Sequence, residues 1–371
     1  MAKSLCLRDS VLKRDSLTEP QRHRGTEETF YARSHPHNLA KSLKFAKCKW
    51  ASVCGCDSIR ALIYGAGAIG SFVGFLLSDT ESSEGKAVED IALLGRENHI
   101  REIKENGLKV NLFEGTKSLR FKHCFSSLEE LNGSMFDPEL VVVCVKSHSL
   151  PQVSREIKEH GLLNGKFSRA TFILLMNGMG NKEMLNLPPE RVYEGVTSIG
   201  VKFSQDGMVE LKGIAKTVFE DGIISDVKEF LKKRFGQNGY EIEFAPDFKK
   251  QQWNKLFVNS VINPITALTG KNNGIVLSCQ LKDTVERIVE ECVKVAGMEG
   301  VEAEKDDVLK FVSSVASKTA LNTSSMLQDV QKGKATEIDS INGYVIRLAR
   351  KHGVSVPANE TLYALVKALE G

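Results

Sequence analysis

Apolar residues run through this chain in two rhythms, and the change falls near Pro246. Before it, short apolar runs alternate with amphipathic stretches. Ile59–Tyr64, Asp90–Leu94, Leu140–Val145 and Thr171–Met176 are too short for helices and are bounded by glycine or polar residues, as strands buried on both faces are. Leu108–Phe113 and Leu119–Phe125 are further strand candidates. Between them, Ser71–Ser78, His99–Asn106, residues 150–160 and Ser225–Phe235 have helical spacing; in the last, Val227, Phe230 and Leu231 share a face. Strands alternating with helices predict a parallel, doubly wound α/β sheet. Val192–Lys202, Met208–Lys212 and Tyr240–Phe244 read as strands closing this half. From Phe248 onward the spacing is helical, over about 248–263, 280–298, 304–318, 335–352 and 358–369. The expected plan is a leader at 1–58, a doubly wound sheet domain at 59–246 and an all-α helical domain at 247–371.

Composition adds bounds. The 371 residues are 42% hydrophobic and 26% charged, ordinary for a globular protein. The net charge of +3 conceals an asymmetry: residues 1–58 carry +5, which leaves −2 for the remainder. The body therefore has no overall attraction to nucleic acid. No apolar run approaches a membrane span. Residues 1–58 lack hydrophobic periodicity and read as a disordered leader. They are basic and Ser-rich, but Asp9, Asp15, Glu19, Glu27 and Glu28 depart from a transit peptide. The expectation is a cytoplasmic protein, or a mitochondrial or plastid one if that leader is a targeting signal. The eight cysteines are scattered and read as reduced thiols. Cys54 and Cys56 with Cys48 make a poor metal set, so no metal is expected.

Chemistry enters at the turn after the first run. Gly65-Ala66-Gly67-Ala68-Ile69-Gly70 follows a strand and opens a helix, the context in which GxGxxG cradles a dinucleotide pyrophosphate. An NAD site places an acid at the end of the second strand. Here that strand ends Leu94-Gly95-Arg96, and a guanidinium suits a 2′-phosphate instead. Lys146 and Asn177 each follow a buried strand, so both point at the crevice along the carboxyl ends of the sheet.

The second half carries a polar stripe. Lys255, Asn259 and Asn263 are four apart, so on a helix they drift about 40° per step and share one face over roughly 12 Å. Among Leu256, Phe257, Val258, Val261 and Ile262 such groups are costly unless something polar meets them. Asn263 also reads as a helix terminator, because Pro264 follows it. Ser325 reads as an N-cap with Gln328 as its partner, and Glu337 as a first-turn acid.

Taken in order, these motifs resemble the ketopantoate reductase (2-dehydropantoate 2-reductase) family of pantothenate and coenzyme A biosynthesis. The resemblance rests on Gly65–Gly70, Leu94-Gly95-Arg96, Val145-Lys146-Ser147, Asn177-Gly178-Met179-Gly180, Asn254-Lys255, Asn259, Asn263-Pro264 and Asn273-Gly274. It continues through Ser324-Ser325-Met326-Leu327-Gln328-Asp329 and Thr336-Glu337-Ile338-Asp339-Ser340-Ile341-Asn342-Gly343. It implies a Rossmann-type cofactor domain, a helical substrate domain and an NADP-dependent oxidoreductase that reduces a 2-keto acid with NADPH. Lys255 falls on the proton donor, with Glu337 beside it. Cofactor contacts fall on Gly65, Ala66, Gly67, Ala68, Ile69, Gly70, Arg96, Lys146, Asn177, Val201 and Glu337. Substrate contacts fall on Lys255, Asn259, Asn263, Asn273, Asn322, Ser324 and Ser325. The expected partner is a small molecule, with neither nucleic acid nor membrane, and the chain is expected to be a monomer or homodimer. A reductase of another 2-keto or 3-hydroxy acid is the alternative. A non-catalytic NADPH sensor would retain the glycines and lose Lys255, Ser325 and Glu337, which are all present.

Overall fold

The computed structural model describes residues 59–79 and 87–370. The expected leader, with Cys6, Cys48, Cys54 and Cys56, lies outside these residues, as does most of the loop Asp79–Glu89.

An α/β domain comes first, and a helical domain follows it. In the first lie β1 (Ala61–Tyr64), α1 (Ala68–Leu77), β2 (Val88–Leu94), α2 (Glu97–Asn106), β3 (Leu108–Leu112), β4 (Gly115–Leu119), β5 (Phe121–Phe125), α3 (Leu128–Gly133) and β6 (Leu140–Val143). Next come α4 (Leu150–Glu159), β7 (Thr171–Leu174), α5 (Asn181–Leu185), β8 (Val192–Thr197), β9 (Gly200–Gln205), β10 (Met208–Gly213), β11 (Thr217–Glu220), α6 (Ser225–Gln237) and β12 (Ile242–Ala245). The helical domain holds α7 (Phe248–Thr269), α8 (Lys282–Met298), α9 (Lys305–Lys318), α10 (Ser325–Gln331), α11 (Asn342–Lys351) and α12 (Pro357–Leu369).

The main sheet has the order β12-β11-β8-β7-β6-β1-β2-β5. Its strands run parallel from β5 to β8, while β11 lies antiparallel to β8 and carries β12 with it. The order reverses around β1, which pairs with β2 on one side and β6 on the other, placing a crevice at their carboxyl ends. Buried runs such as Leu140–Val143 fit this sheet, because helices cover both of its faces.

The strands expected to close this half behave otherwise. β8 joins the main sheet, but β9 and β10 leave it and build a second sheet of order β4-β3-β10-β9. Their half-exposed faces suit a sheet with one side in water. Val110, Ile199, Val209 and Leu211 from this layer join the core that holds Phe72, Phe75 and Leu76 of α1. That accounts for α1 being apolar all round: it is covered on both sides, and every residue from Gly70 to Leu77 is buried.

In the helical domain, α7 does not stop at Asn263. It continues through Pro264 to Thr269 and ends at Gly270, whose φ of 67° is left-handed. The expected helix over residues 335–352 begins later, at Asn342, after a short 3₁₀ turn at Ile338–Ser340. Among the described residues no helix is long and apolar enough to cross a membrane. No cluster of three or more His, Cys, Asp or Glu there could hold a metal. Cys124, Cys144, Cys279 and Cys292 are unpaired. Burial pushes the thiols of Cys124, Cys144 and Cys292 up to about 12.

Candidate active site

The glycine loop is built by backbone bonds between β1 and β2. The amides of Gly65 and Ala66 both donate to Leu94 O, at 2.9 Å each. A Cβ at Gly70 would lie 2.1 Å from Gly65 O, and one at Gly65, which has φ +100°, would lie 2.7 Å from Val145 Cγ1. These two glycines are required by close packing. Gly67 is different: a Cβ there would meet nothing within 4 Å. Its open face, with the first amides of α1 beside it, fits the approach of a dinucleotide pyrophosphate.

Because Tyr64 and Leu94 are paired in register, Gly95 and Arg96 stand beside the loop, where a Cβ on Gly95 would be 3.1 Å from Ala66 Cβ. Arg96 caps the start of α2 and is exposed. Its guanidinium lies over the Phe203 ring at 5.2 Å from the centroid. Phe203 comes from β9, so the second sheet supplies a shelf that sequence spacing did not reveal. Val201, on the same strand, is half-buried against the core.

Deeper in the crevice, three charges and an amide from both domains meet. Lys146 Nζ donates to Asp329 Oδ2 at 2.9 Å and to Glu337 Oε2 at 3.1 Å. Asn177 Nδ2 donates to the same Glu337 oxygen at 2.8 Å. Glu337 is only 4% exposed, so these bonds replace its water. Burial alone would raise its carboxyl, but Lys146 and the Asn177 bond outweigh that and hold it below the usual range. Burial alone would lower Lys146, yet Glu337 and Asp329 hold it above the usual lysine range. Burial pushes Asp329 up, with Lys146 opposing.

Glu337 is therefore not a first-turn acid. It precedes the 3₁₀ turn that seats the helical domain against β6 and β7. Ser340 O accepts from Met179 N at 2.9 Å, and the Ser340 and Ser147 hydroxyls are 2.8 Å apart.

Lys255 lies on α7 among apolar neighbours, and its Nζ donates to Thr197 O at 2.6 Å. Burial lowers its pKa to about 8, against the field of Glu337, which raises it. Glu337 thus acts on Lys255 through space, while its hydrogen bonds go to Lys146 and Asn177. Asn259 is half-buried and Asn263 is buried on the same helix.

The remaining stretch is tied to α7 and α9. Ser324, not Ser325, caps α10, accepting from Leu327 N at 3.1 Å, and its hydroxyl is 2.6 Å from Thr266 Oγ1 of α7. Ser325 is exposed, and Gln328 Nε2 reaches Thr323 O at 3.1 Å. Asn273 donates through its backbone to Asn322 O at 3.0 Å and through Nδ2 to Thr319 Oγ1 at 3.0 Å. Asn322 itself is exposed. Sequence reading missed Asp329, Thr197 and Phe203. Asp329 ends a motif noted for other residues, and its place on the helix begun by Ser324 was the available signal.

Two family models match most of the chain. Residues 61–222 fit "Ketopantoate reductase PanE/ApbA" and residues 247–370 fit "Ketopantoate reductase PanE/ApbA C terminal". The chain belongs to the ketopantoate reductase family. The 2-dehydropantoate 2-reductase of Pyrococcus horikoshii is 33% identical over 319 residues, covering 84% of this chain and 98% of that protein. The crystal structure of a ketopantoate reductase family protein from Ralstonia eutropha superposes with a TM-score of 0.73 at 27% identity, covering 84% of this chain and 98% of the other. A complex of D-mandelate dehydrogenase with NADH gives a TM-score of 0.69 at 26% identity over the same shares. As a ketopantoate reductase family member, the chain is a nicotinamide-dependent oxidoreductase acting on a 2-keto or 3-hydroxy acid.

Proposed function

We propose that the chain reduces 2-dehydropantoate to pantoate with NADPH. The observation that carries this reading is Lys255: an ammonium drawn down to about 8 by burial, one side of it held by Thr197 O, on the helix that also carries Asn259 and Asn263. Bound NADPH supplies the hydride for the C2 carbonyl carbon. As negative charge develops on the carbonyl oxygen, Lys255 stabilises it and delivers the proton. The charge of Glu337 keeps Lys255 protonated below about pH 8. Gly65–Gly70 and the start of α1 hold the pyrophosphate, and Arg96 on its Phe203 shelf holds the 2′-phosphate. Lys146, Asn177, Val201 and Glu337 line the rest of the cofactor groove. Asn259, Asn263, Asn273, Asn322, Ser324 and Ser325 grip the hydroxyl and carboxylate of the substrate. Such polar contacts discriminate against keto acids lacking those groups, whose binding leaves site atoms unpaired.

The likeness to D-mandelate dehydrogenase favours a second reading, a reductase of a different 2-keto acid. One experiment separates them: cofactor oxidation with 2-dehydropantoate beside a panel of 2-keto acids, run with NADPH and NADH on the parent and on Arg96→Asp. The proposal expects 2-dehydropantoate to have the highest kcat/KM, and Arg96→Asp to weaken NADPH about a hundredfold more than NADH, the scale of two lost charge-assisted bonds. A better keto acid overturns the substrate, and an equal loss with both cofactors overturns the role of Arg96.

A further inference from the structure

The run Ile341-Asn342-Gly343 has no part in the chemistry described so far, yet it bears on the helix that performs it. α7 carries Lys255, Asn259 and Asn263 and continues through Pro264. Proline has no N–H, so the carbonyl four residues earlier, that of Ser260, loses its intrahelical donor. Ser260 is fully buried, so bulk water does not replace that donor. Asn342, the first residue of α11, supplies one: its Nδ2 donates to Ser260 O at 3.0 Å. Since that carbonyl can only accept, the amide must present its nitrogen there.

Asn342 is held in turn. It is fully buried, and the same Nδ2 donates to Asn359 Oδ1 at 3.0 Å. Asn359 is fixed by Glu291 of α8, which accepts from its Nδ2 at 2.8 Å and its backbone N at 2.9 Å, while Ala358 N reaches the other oxygen at 2.8 Å. A chain of bonds from α8 and α12 thus ends on the one turn of α7 whose ladder proline interrupts.

That turn separates the parts of the site. Lys255 and Asn259 lie before it, and Asn263 immediately precedes Pro264. Beyond it, Thr266 holds Ser324. We propose that Asn342 is a positioning residue for the reduction. By bonding the Ser260 carbonyl that Pro264 leaves without a donor, it sets the spacing between Lys255 on one side and Asn263 and Ser324 on the other, and so holds the keto acid against its proton donor. This rests on the assignment of those residues to the substrate in the proposed function.

The test is a double-variant cycle. Asn342→Leu keeps the branched shape and removes both donated bonds, whereas Pro264→Ala returns an N–H to Ser260 O from within the helix. Asn342→Leu should raise KM for the keto acid about tenfold, the effect of a small displacement of a binding group. It should leave the NADPH dissociation constant unchanged and lower the thermal midpoint by about 5 °C. Pro264→Ala alone should stay near the parent. The double variant should recover KM and most of the midpoint. Additive losses in the double variant overturn the proposal, as does a lowered midpoint with unchanged KM in Asn342→Leu. If Asn342→Leu does not fold, Asn342→Ala alone and with Pro264→Ala takes its place, and a double variant no more soluble than the single also overturns it. A parent chain inactive on every 2-keto acid defeats the substrate reading first; the midpoints still report whether Asn342 supplies the missing bond.

Discussion

At the scale of single residues, the proposed chemistry rests on Lys255. A lysine in water is almost wholly protonated at neutral pH and gives up its proton reluctantly. Burial brings Lys255 down to about 8 against the opposing field of Glu337, close to where a general acid works best. Replacing Lys255 by Ala should lower kcat by about a thousandfold, the usual worth of a positioned acid, with NADPH affinity nearly intact; steady-state kinetics beside a fluorescence titration checks both. The pH dependence has a definite sign. A proton donor must be protonated, so, with Lys255 in that role, activity should be present below its pKa and be lost as pH rises through about 8. Glu337 raises that pKa, so Glu337→Gln should move the alkaline limb of the kcat profile to lower pH. A limb that stays in place separates Glu337 from the proton donor.

At the scale of elements, the glycine loop distinguishes packing from access. Gly70→Ala forces a Cβ to 2.1 Å from Gly65 O and should cost about 3 kcal/mol, read from a denaturant midpoint. Gly67→Ala meets open space and should leave that midpoint in place. This loop was legible in the sequence, because the motif depends only on neighbouring residues and a strand–helix context. So were Leu140–Val143 and Thr171–Leu174, continuous apolar runs that only a two-sided sheet can use. β4 escaped notice since its residues are almost all exposed and show no alternation; it exists because it pairs back onto β3. α3 was missed despite a capped start, in which Ser127 Oγ accepts from Glu130 N and the Glu130 carboxylate accepts from Ser126 N just before the cap. The course of α7 beyond Pro264 was out of reach for another reason: the group that compensates the proline, Asn342, is 78 residues away from it in sequence. In the site, Lys146 and Asn177 could be placed in one crevice from their positions after buried strands. Thr197 could not, because it acts through its backbone carbonyl and its partner Lys255 lies across the domains.

At the scale of the whole molecule, the helical domain is gathered at Glu299, just past α8. Its carboxylate takes His352 at 2.7 Å, Lys351 at 3.0 Å and Lys249 at 3.3 Å, so α7, α8 and α11 converge on one anion. The His352 bond foremost, then Lys351 and Lys249, pull its pKa to about 2 despite partial burial. A depressed carboxyl stabilises the fold above its ordinary value of 4.5 and loses that contribution as pH falls toward about 2. Glu299→Gln should therefore cost about 2 kcal/mol at neutral pH, with the gap to the parent narrowing between pH 4.5 and about 2 in denaturant melts.

The second sheet has a further effect on the cofactor loop. It turns α1 into a helix enclosed on both sides, from Gly70 to Leu77. In terms of local opening, such a helix should be among the last parts of the fold to come apart, and its amide hydrogens should exchange with solvent only when the fold as a whole opens, which hydrogen exchange reads directly. The loop that is open at Gly67 is thus mounted on a helix buried on every side from Gly70 onward.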